Sequence, residues 1–435
     1  MEKVSECFLL QRNIGIRFAE TRCCKTMDKY DYIIAGAGCA GLSLLHYIHQ
    51  YSSLHQKKIL IIDQNLKKSN DRTWCFWEEG SSDFESLLTT SWNTISIHQA
   101  DRNFYLPTAP FTYKMIQGLD FYKHVIDYAK QFNNVYWQEA TISSMETEGL
   151  HQKEALPTHA IVHWEAGMAK GRKVFSSILP IDDLYNISQT NQTEPFLWQH
   201  FKGHLIEFEN PVFDAHVARL MDFNVNQHGA TGFMYVLPLN NKKALVEYTL
   251  FSDQILEIPM YDLALNDYLA KHYPDCVYTI EHEEIGAIPM THQSFSNFEA
   301  PIYAIGALGM AIKASTGYAF QFIQQQSKNI VIQLEQGLAI QTNIHNTRHR
   351  FYDAVLLHVL FYHKMEGAEI FKRIFAKNEA ATVFKFLSNT STLWEDIQIM
   401  RSLPTRIFLP AAITVLCKYT CQYMMWRAIK NFSIE

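Results

Sequence analysis

The chain has 435 residues, 48 % of them hydrophobic and 19 % charged, which marks a globular protein and excludes a disordered or collagen-like one. A net charge of −6 leaves no electrostatic footprint for nucleic acid, and none is expected as a partner. Eight cysteines without a C-x-x-C pair, and nineteen dispersed histidines without an H-E-x-x-H, point away from a disulfide scaffold and from a zinc site, so a reducing compartment and no metal are expected.

Residues 1–27 scatter Glu2, Lys3, Glu6, Arg12, Arg17, Glu20, Arg22 and Lys25 along a stretch with no apolar h-region. They read as an extension outside the fold and not as a secretory signal. Tyr32-Ile33-Ile34-Ala35 is then a short buried strand, Leu42 to Ile48 a helix, and Lys58 to Asp63 a second strand. Together they form a βαβ unit of about 30 residues, which returns the chain parallel to itself. The fold class is α/β. A Rossmann-type parallel sheet is expected from 28–140 and 290–340, with 141–289 as a mostly antiparallel β region for substrate.

Within that region the pattern loosens from Ser143 to Phe175. It then alternates strongly over His204–Phe208, Phe233–Leu237 and Ala244–Thr249, with Asn240-Asn241 as a hairpin turn. Pro301 to Gly306 returns to a buried strand, and a long helix runs from Tyr318 to Leu334. The remainder, 341–435, reads as helices separated by Pro404 and Pro410. No stretch of eighteen apolar residues predicts a spanning helix. Ile407 to Trp426, interrupted by Pro410 and Lys418 and flanked by Arg401, Arg406 and Arg427, suits a helix lying on a bilayer or one packed on the core.

Gly36-Ala37-Gly38-Cys39-Ala40-Gly41 is a G-x-G-x-x-G between the first strand and its helix. Gly36 permits the tight turn, Gly38 lets backbone approach a pyrophosphate, and Gly41 lets helix and strand pack closely. Asp63 ends the second strand about 20 residues later, where a carboxylate meets a ribose hydroxyl. Gly36, Ala37, Gly38, Ala40, Gly41 and Asp63 are therefore candidate cofactor-binding residues. The motif alone does not separate FAD from NAD.

After Asp63 comes Asn70-Asp71-Arg72-Thr73-Trp74-Cys75-Phe76-Trp77. It is followed in order by Gln199-His200-Phe201-Lys202-Gly203, Phe213-Asp214, Met221-Asp222-Phe223 and Leu245-Val246-Glu247-Tyr248-Thr249. Then come Gly286-Ala287-Ile288-Pro289-Met290, Ser315-Thr316-Gly317-Tyr318 and Trp394-Glu395-Asp396-Ile397-Gln398-Ile399-Met400. This ordered set, spread from Lys29 to Phe408, resembles the lycopene cyclases, which group with FAD-dependent hydroxylases and geranylgeranyl reductases. Two departures stand out. The family's acidic motif often has two adjacent carboxylates, whereas here Tyr248 follows Glu247. Many members also carry His-Pro where this chain reads Lys313-Ala314.

The resemblance implies FAD, active in its reduced form, with NAD(P)H as the indirect source of electrons. Arg72, Gly306 and Gly317 join the implied cofactor-binding residues. Ala307 stands after Gly306 where flavin hydroxylases place Gly-Asp. The implied reaction protonates the end of a linear carotene, lycopene or γ-carotene, closes a six-membered ring on the cation, and loses a ring proton to give a β end group. Such a site needs a strong acid, a wall that keeps water out, and fixed negative charge beside the cation. Glu247, among uncharged strand neighbours, is the first candidate acid, although a glutamate on a strand reads equally as solvent-facing. Asp222 and Asp214 rank second, and Lys313 stands where the family histidine would act. A lipid-soluble carotene implies a cytoplasmic protein peripheral to the inner face of the membrane. A monooxygenase or prenyl reductase on the same fold is the alternative enzyme, and a non-catalytic carotenoid- or flavin-binding protein the alternative outside catalysis.

Overall fold

The computed structural model describes residues 27–65, 69–148, 158–190 and 194–432. The expected N-terminal extension, save Met27, lies outside the described residues. In chain order the elements begin with β1 (Asp28–Ala35), α1 (Cys39–Ile48), β2 (Ile59–Asp63), β3 (Thr73–Glu79), β4 (Thr90–Trp92), β5 (Thr94–Gln99) and β6 (Arg102–Pro107). There follow β7 (Phe111–Gln117), α2 (Gly118–Ala129), β8 (Val135–Glu139), β9 (Ile142–Thr147), β10 (Ala160–Trp164), β11 (Gly167–Ser176) and α3 (Ile181–Thr190). Next are β12 (Leu197–Phe208), β13 (Val217–Asp222), β14 (Thr231–Pro238), β15 (Lys243–Ser252), α4 (Ile258–His272), β16 (Tyr278–Met290) and β17 (Ile302–Ala304). The chain ends in helices α5 (Phe320–Gln336), α6 (Thr347–Phe361), α7 (Gly367–Lys377), α8 (Ala380–Leu387), α9 (Leu393–Ser402) and α10 (Thr405–Phe432).

The first sheet runs β8-β2-β1-β11-β10-β9, with β17 on β11. Its centre is parallel, as the buried runs Ile33-Ile34-Ala35 and Ile59 to Ile62 require when both faces are covered. The second sheet, β16-β12-β15-β14-β13-β5-β6, is antiparallel except where β5 lies parallel to β13. A small sheet, β3-β7-β4, completes the strands described.

Two boundaries differ from the sequence reading. Strands β9, β10 and β11 belong to the nucleotide sheet, because β11 pairs with β1 from Asp28↔Ala169 to Ala35↔Ser176 and β10 and β9 follow at its edge. Their loosened pattern is that of β9 and β10, a half-exposed antiparallel edge on that sheet. In the other direction, β5 and β6 leave the nucleotide core and extend the antiparallel sheet. The Asn240 turn forms as read: its Oδ1 accepts from the N–H groups of Lys242 and Lys243, closing the β14–β15 hairpin.

Strands β14 and β15 are buried on both faces, which is why their alternation is between two kinds of cover and not between core and water. Met234, Val236, Val246 and Tyr248 pack on Tyr261, Leu265 and Leu269 of α4. Phe233, Tyr235 and Phe251 face the other way, into a core shared with Val355, Phe371, Ile399 and Val415 of the C-terminal helices. Pro410 does not break the last helix. It lies six positions into α10, a 28-residue element, and forfeits one i→i−4 bond near its start.

Candidate active site

The glycine turn between β1 and α1 has the geometry its residues predict. Gly36 sits at φ +100°, a left-handed conformation that favours glycine. A Cβ on Gly41 would lie 1.9 Å from the Gly36 carbonyl oxygen, so helix and turn touch backbone to backbone. A Cβ on Gly38 would meet nothing within 4 Å. Gly38 is also the N-cap of α1 and makes no side-chain cap bond, so the first N–H groups of the helix face that open space with their dipole. Asp63 Oδ2 accepts from the Ala37 N–H at 2.6 Å, holding the carboxylate at the turn. Gly306, at φ +61°, closes over the helix start: a Cβ there would lie 2.6 Å from Cβ of Ala40.

The second cluster is built on the antiparallel sheet. Glu247 on β15 is 8 % exposed and points to the face shared with the C-terminal helices, beside Tyr235 of β14 and Gly203 of β12. Burial, and then the neighbouring Glu284, push its pKa well above the usual carboxylate range. Its Oε1 accepts from Thr249 Oγ1 at 2.7 Å. Glu284 on β16 is 6 % exposed, also shifted upward by burial, and accepts from Thr73 Oγ1 at 2.7 Å. Tyr318 hydrogen-bonds to Tyr113 and to Tyr235 near Glu247, and burial raises the pKa of all three phenols.

Tyr318 is brought there by Gly317, at φ +73°, whose missing side chain leaves room for Gln199: a Cβ would lie 1.9 Å from Gln199 Oε1. Gln199 Oε1 and Thr316 Oγ1 are buried with no hydrogen-bond partner among the described residues. Tyr235 and Tyr318 belong both to the surroundings of Glu247 and to the wall of a cavity of about 290 Å³. That cavity runs among Leu220, Phe251 and Phe371 to Met400 and Leu409, which are 41 % and 55 % exposed. It therefore runs from the tyrosines beside Glu247 to the protein surface between largely apolar walls.

The model of the lycopene cyclase protein family matches residues 31–412. The chain belongs to the lycopene cyclase family. No curated protein matches it in sequence. Among solved structures it is similar to a geranylgeranyl bacteriochlorophyll reductase-like protein from Thermoplasma acidophilum, with 12 % identity, 90 % of this chain and 96 % of that one covered, and TM-score 0.52. It is likewise similar to a flavoprotein/dehydrogenase from Cytophaga hutchinsonii (12 % identity, 90 % and 100 % covered, TM-score 0.55). A third is the flavin-dependent brominase Bmp2 (10 %, 91 % and 100 %, 0.50). At such identities the likeness shows a shared fold, the Rossmann-type flavoprotein fold with a helical C-terminal region.

The remaining candidates of this cyclase-family chain fall away from Glu247. Asp222 is fully buried and registers against Met234, so it points to the α4 face, on the opposite side of the sheet. There it accepts from Tyr268 Oη at 2.8 Å and pairs with Arg219 at 3.3 Å, tying β13 to α4. Asp214 lies exposed on a loop and accepts from the N–H of His216. Lys313 is fully buried and committed elsewhere: its Nζ is 2.8 Å from Asp353 Oδ1 and donates to Asn389 Oδ1 at 2.6 Å. Ser315 Oγ donates to the same Asp353 oxygen at 2.7 Å, so the pair anchors the 313–318 loop to α6. Arg72 donates to the Ile285 carbonyl at 3.0 Å and bridges the small sheet to β16.

Sequence reading missed Glu284 and the two tyrosines that meet Tyr318. The only signal for Glu284 is a register one: Gly203 opposite both glutamates in the finished sheet.

Proposed function

We propose that this chain is a lycopene β-cyclase, converting the linear ends of lycopene or γ-carotene to β-ionone rings by acid–base chemistry with no net redox change. The observation that carries the reading is a buried Glu247, its pKa raised by burial well above the usual carboxylate range, beside an apolar cavity that opens among exposed apolar side chains. A cavity of about 290 Å³ lies at the small end of the ~300–1,000 Å³ range of ligand pockets, which suits one end of a long chain entering at a time. Glu247 delivers a proton to the terminal double bond, and the apolar wall keeps water from quenching the cation while the ring closes. Glu247 and Glu284, left anionic, supply the fixed negative charge the cation needs. The ring proton returns to this pair.

FAD fits the residues present. Gly36, Gly38, Gly41 and the start of α1 would hold the pyrophosphate, Asp63 the ribose, and Gly306 and the Gly317 loop the second wall, with Gln199 and Thr316 offering unpartnered polar atoms. Reduced FAD, with NAD(P)H as its source of electrons, supplies further negative charge near the site when bound. Arg72 is assigned a framing part, holding β16 and so Glu284 in place.

The substrate arrives from lipid. Leu393, Trp394, Ile397 and Met400 of α9, with Leu409, Ile413 and Leu416 of α10, are exposed on the helices whose Met400 and Leu409 line the cavity, with Arg401 and Arg406 on the same segment. Such a patch with flanking cations suits a bilayer surface. No helix among the described residues is long and apolar enough to cross a membrane. We assign the protein a peripheral place on the cytoplasmic face. The side chains of Trp426 and Arg427 lie outside the described residues.

Cyclisation in deuterated water tests the reaction class. The reading predicts solvent deuterium on the new ring and no stoichiometric use of reductant. One reducing equivalent consumed per product would make the protein a reductase or monooxygenase instead.

A further inference from the structure

Glu247 and Glu284 are not sheet neighbours. Strand β12 runs between theirs, and both residues stand opposite Gly203. A Cβ at 203 would lie 3.3 Å from both Cβ and Cγ of Glu247. Glycine thus leaves a gap through which two carboxyls on strands two places apart hydrogen-bond to each other. Carboxylate oxygens only accept, so two carboxyls in hydrogen-bond contact need a proton between them.

We propose that Glu284 is the positioning partner of Glu247, the two buried carboxyls sharing one proton across Gly203, with the negative charge resting on Glu284. This rests on the cyclase reading and extends it to a residue outside the family's acidic motif.

The surroundings are asymmetric in the required sense. Around Glu247 stand Cys75 from β3, Tyr235 from β14 and Tyr318 from the loop before α5, with Tyr113 from β7 hydrogen-bonded to Tyr318, and burial raises the pKa of each. Each carboxyl accepts from a threonine at 2.7 Å, Glu247 from Thr249 and Glu284 from Thr73, but only around Glu284 do Arg72 and His282 add positive charge that favours the ionised form. Glu284 therefore keeps the charge, and its charge keeps the proton on Glu247.

The step balances. The alkene π pair forms the new C–H bond, and the O–H pair stays on Glu247, leaving two carboxylates beside the cation. The π pair of a neighbouring double bond then forms the ring C–C bond, and the ring C–H pair becomes the ring double bond as its proton returns to the carboxyl pair. No oxidant or reductant is consumed.

The test is the pH profile of ring formation by flavin-loaded full chain on detergent-dispersed lycopene, for the native protein, Glu284→Gln and Gly203→Ala. Native turnover should fall as pH rises and the shared proton is lost. In Glu284→Gln, with no charge to hold the proton, that fall should move down by at least about one pH unit, a tenfold change in the proton's hold. Gly203→Ala keeps both carboxyls but separates them, and should move the fall the same way. A uniform loss at every pH, with the fall unmoved, would make Glu284 a structural residue and overturn the proposal.

Infrared titration of flavin-loaded protein without substrate gives a second readout. A protonated-carboxyl band should be present at neutral pH in native protein and appear only at lower pH in Glu284→Gln; an unmoved band overturns the pairing. Absence of any ring product from native protein would instead defeat the cyclase reading, and the infrared result stands or falls without it.

Discussion

Glu247→Gln keeps the shape of the side chain and its bond from Thr249 but removes the proton to be delivered. Ring formation should fall by at least ~100-fold with flavin absorbance unchanged, and activity within a few-fold of native would place the acid elsewhere. Lys313 tests the opposite assignment. Lys313→Ala leaves Asp353 buried and uncompensated, so thermal unfolding should show a loss of about 3–5 kcal/mol. An unchanged unfolding midpoint with lost turnover would return Lys313 to catalysis. Glu247 was singled out by the family motif around it, among uncharged strand neighbours, and the structure buries it. Glu284 could not be, because its meaning depends on sheet register and on a glycine eighty residues earlier, and neither leaves a local pattern. Asp222, ranked second in the sequence, is sent to the other side by the strand's facing, set by the pairing with Met234, which no local pattern shows.

Elements were legible wherever one periodicity dominates, as in β1, α1, β2 and the β14–β15 hairpin. They were misread where cover comes from two sides or from an edge: β9–β11 read as loose β text because the β9–β10 edge is half solvated, and Pro410 read as a break because sequence does not show how far into a helix it falls. The dinucleotide turn offers a sharp pair of substitutions. Gly38→Val should fold, since the space ahead of it is open, yet bind no FAD; full flavin occupancy would defeat the assignment. Gly41→Val should fail to fold, because its side chain would enter the Gly36 carbonyl, and a soluble, flavin-loaded Gly41→Val would contradict that contact. Helices α9 and α10 test substrate delivery. Serine at Trp394, Ile397, Leu409 and Ile413 should reduce turnover of liposomal lycopene more than of detergent-dispersed lycopene. Equal loss in both would mean that these residues serve folding.

At the scale of the molecule, a fold shared with a reductase-like protein and a brominase does not choose a reaction. Three features of this chain support the cyclase we propose: a buried Glu247 whose pKa burial raises well above the usual carboxylate range, an apolar cavity running from the tyrosines beside it to exposed apolar helices, and Ala307 where a hydroxylase places an acid. The family was legible from motifs spread along the chain, and the sheet explains their spacing, since Gln199, Gly203, Glu247, Gly317 and Tyr318 converge on one face. Pigment analysis of cells that accumulate lycopene and express the chain is the most direct test. The account predicts carotenes bearing β-ionone rings, with the hydrogen count of lycopene unchanged. Hydroxylated or saturated lycopene, or lycopene left intact by flavin-loaded protein, would contradict it.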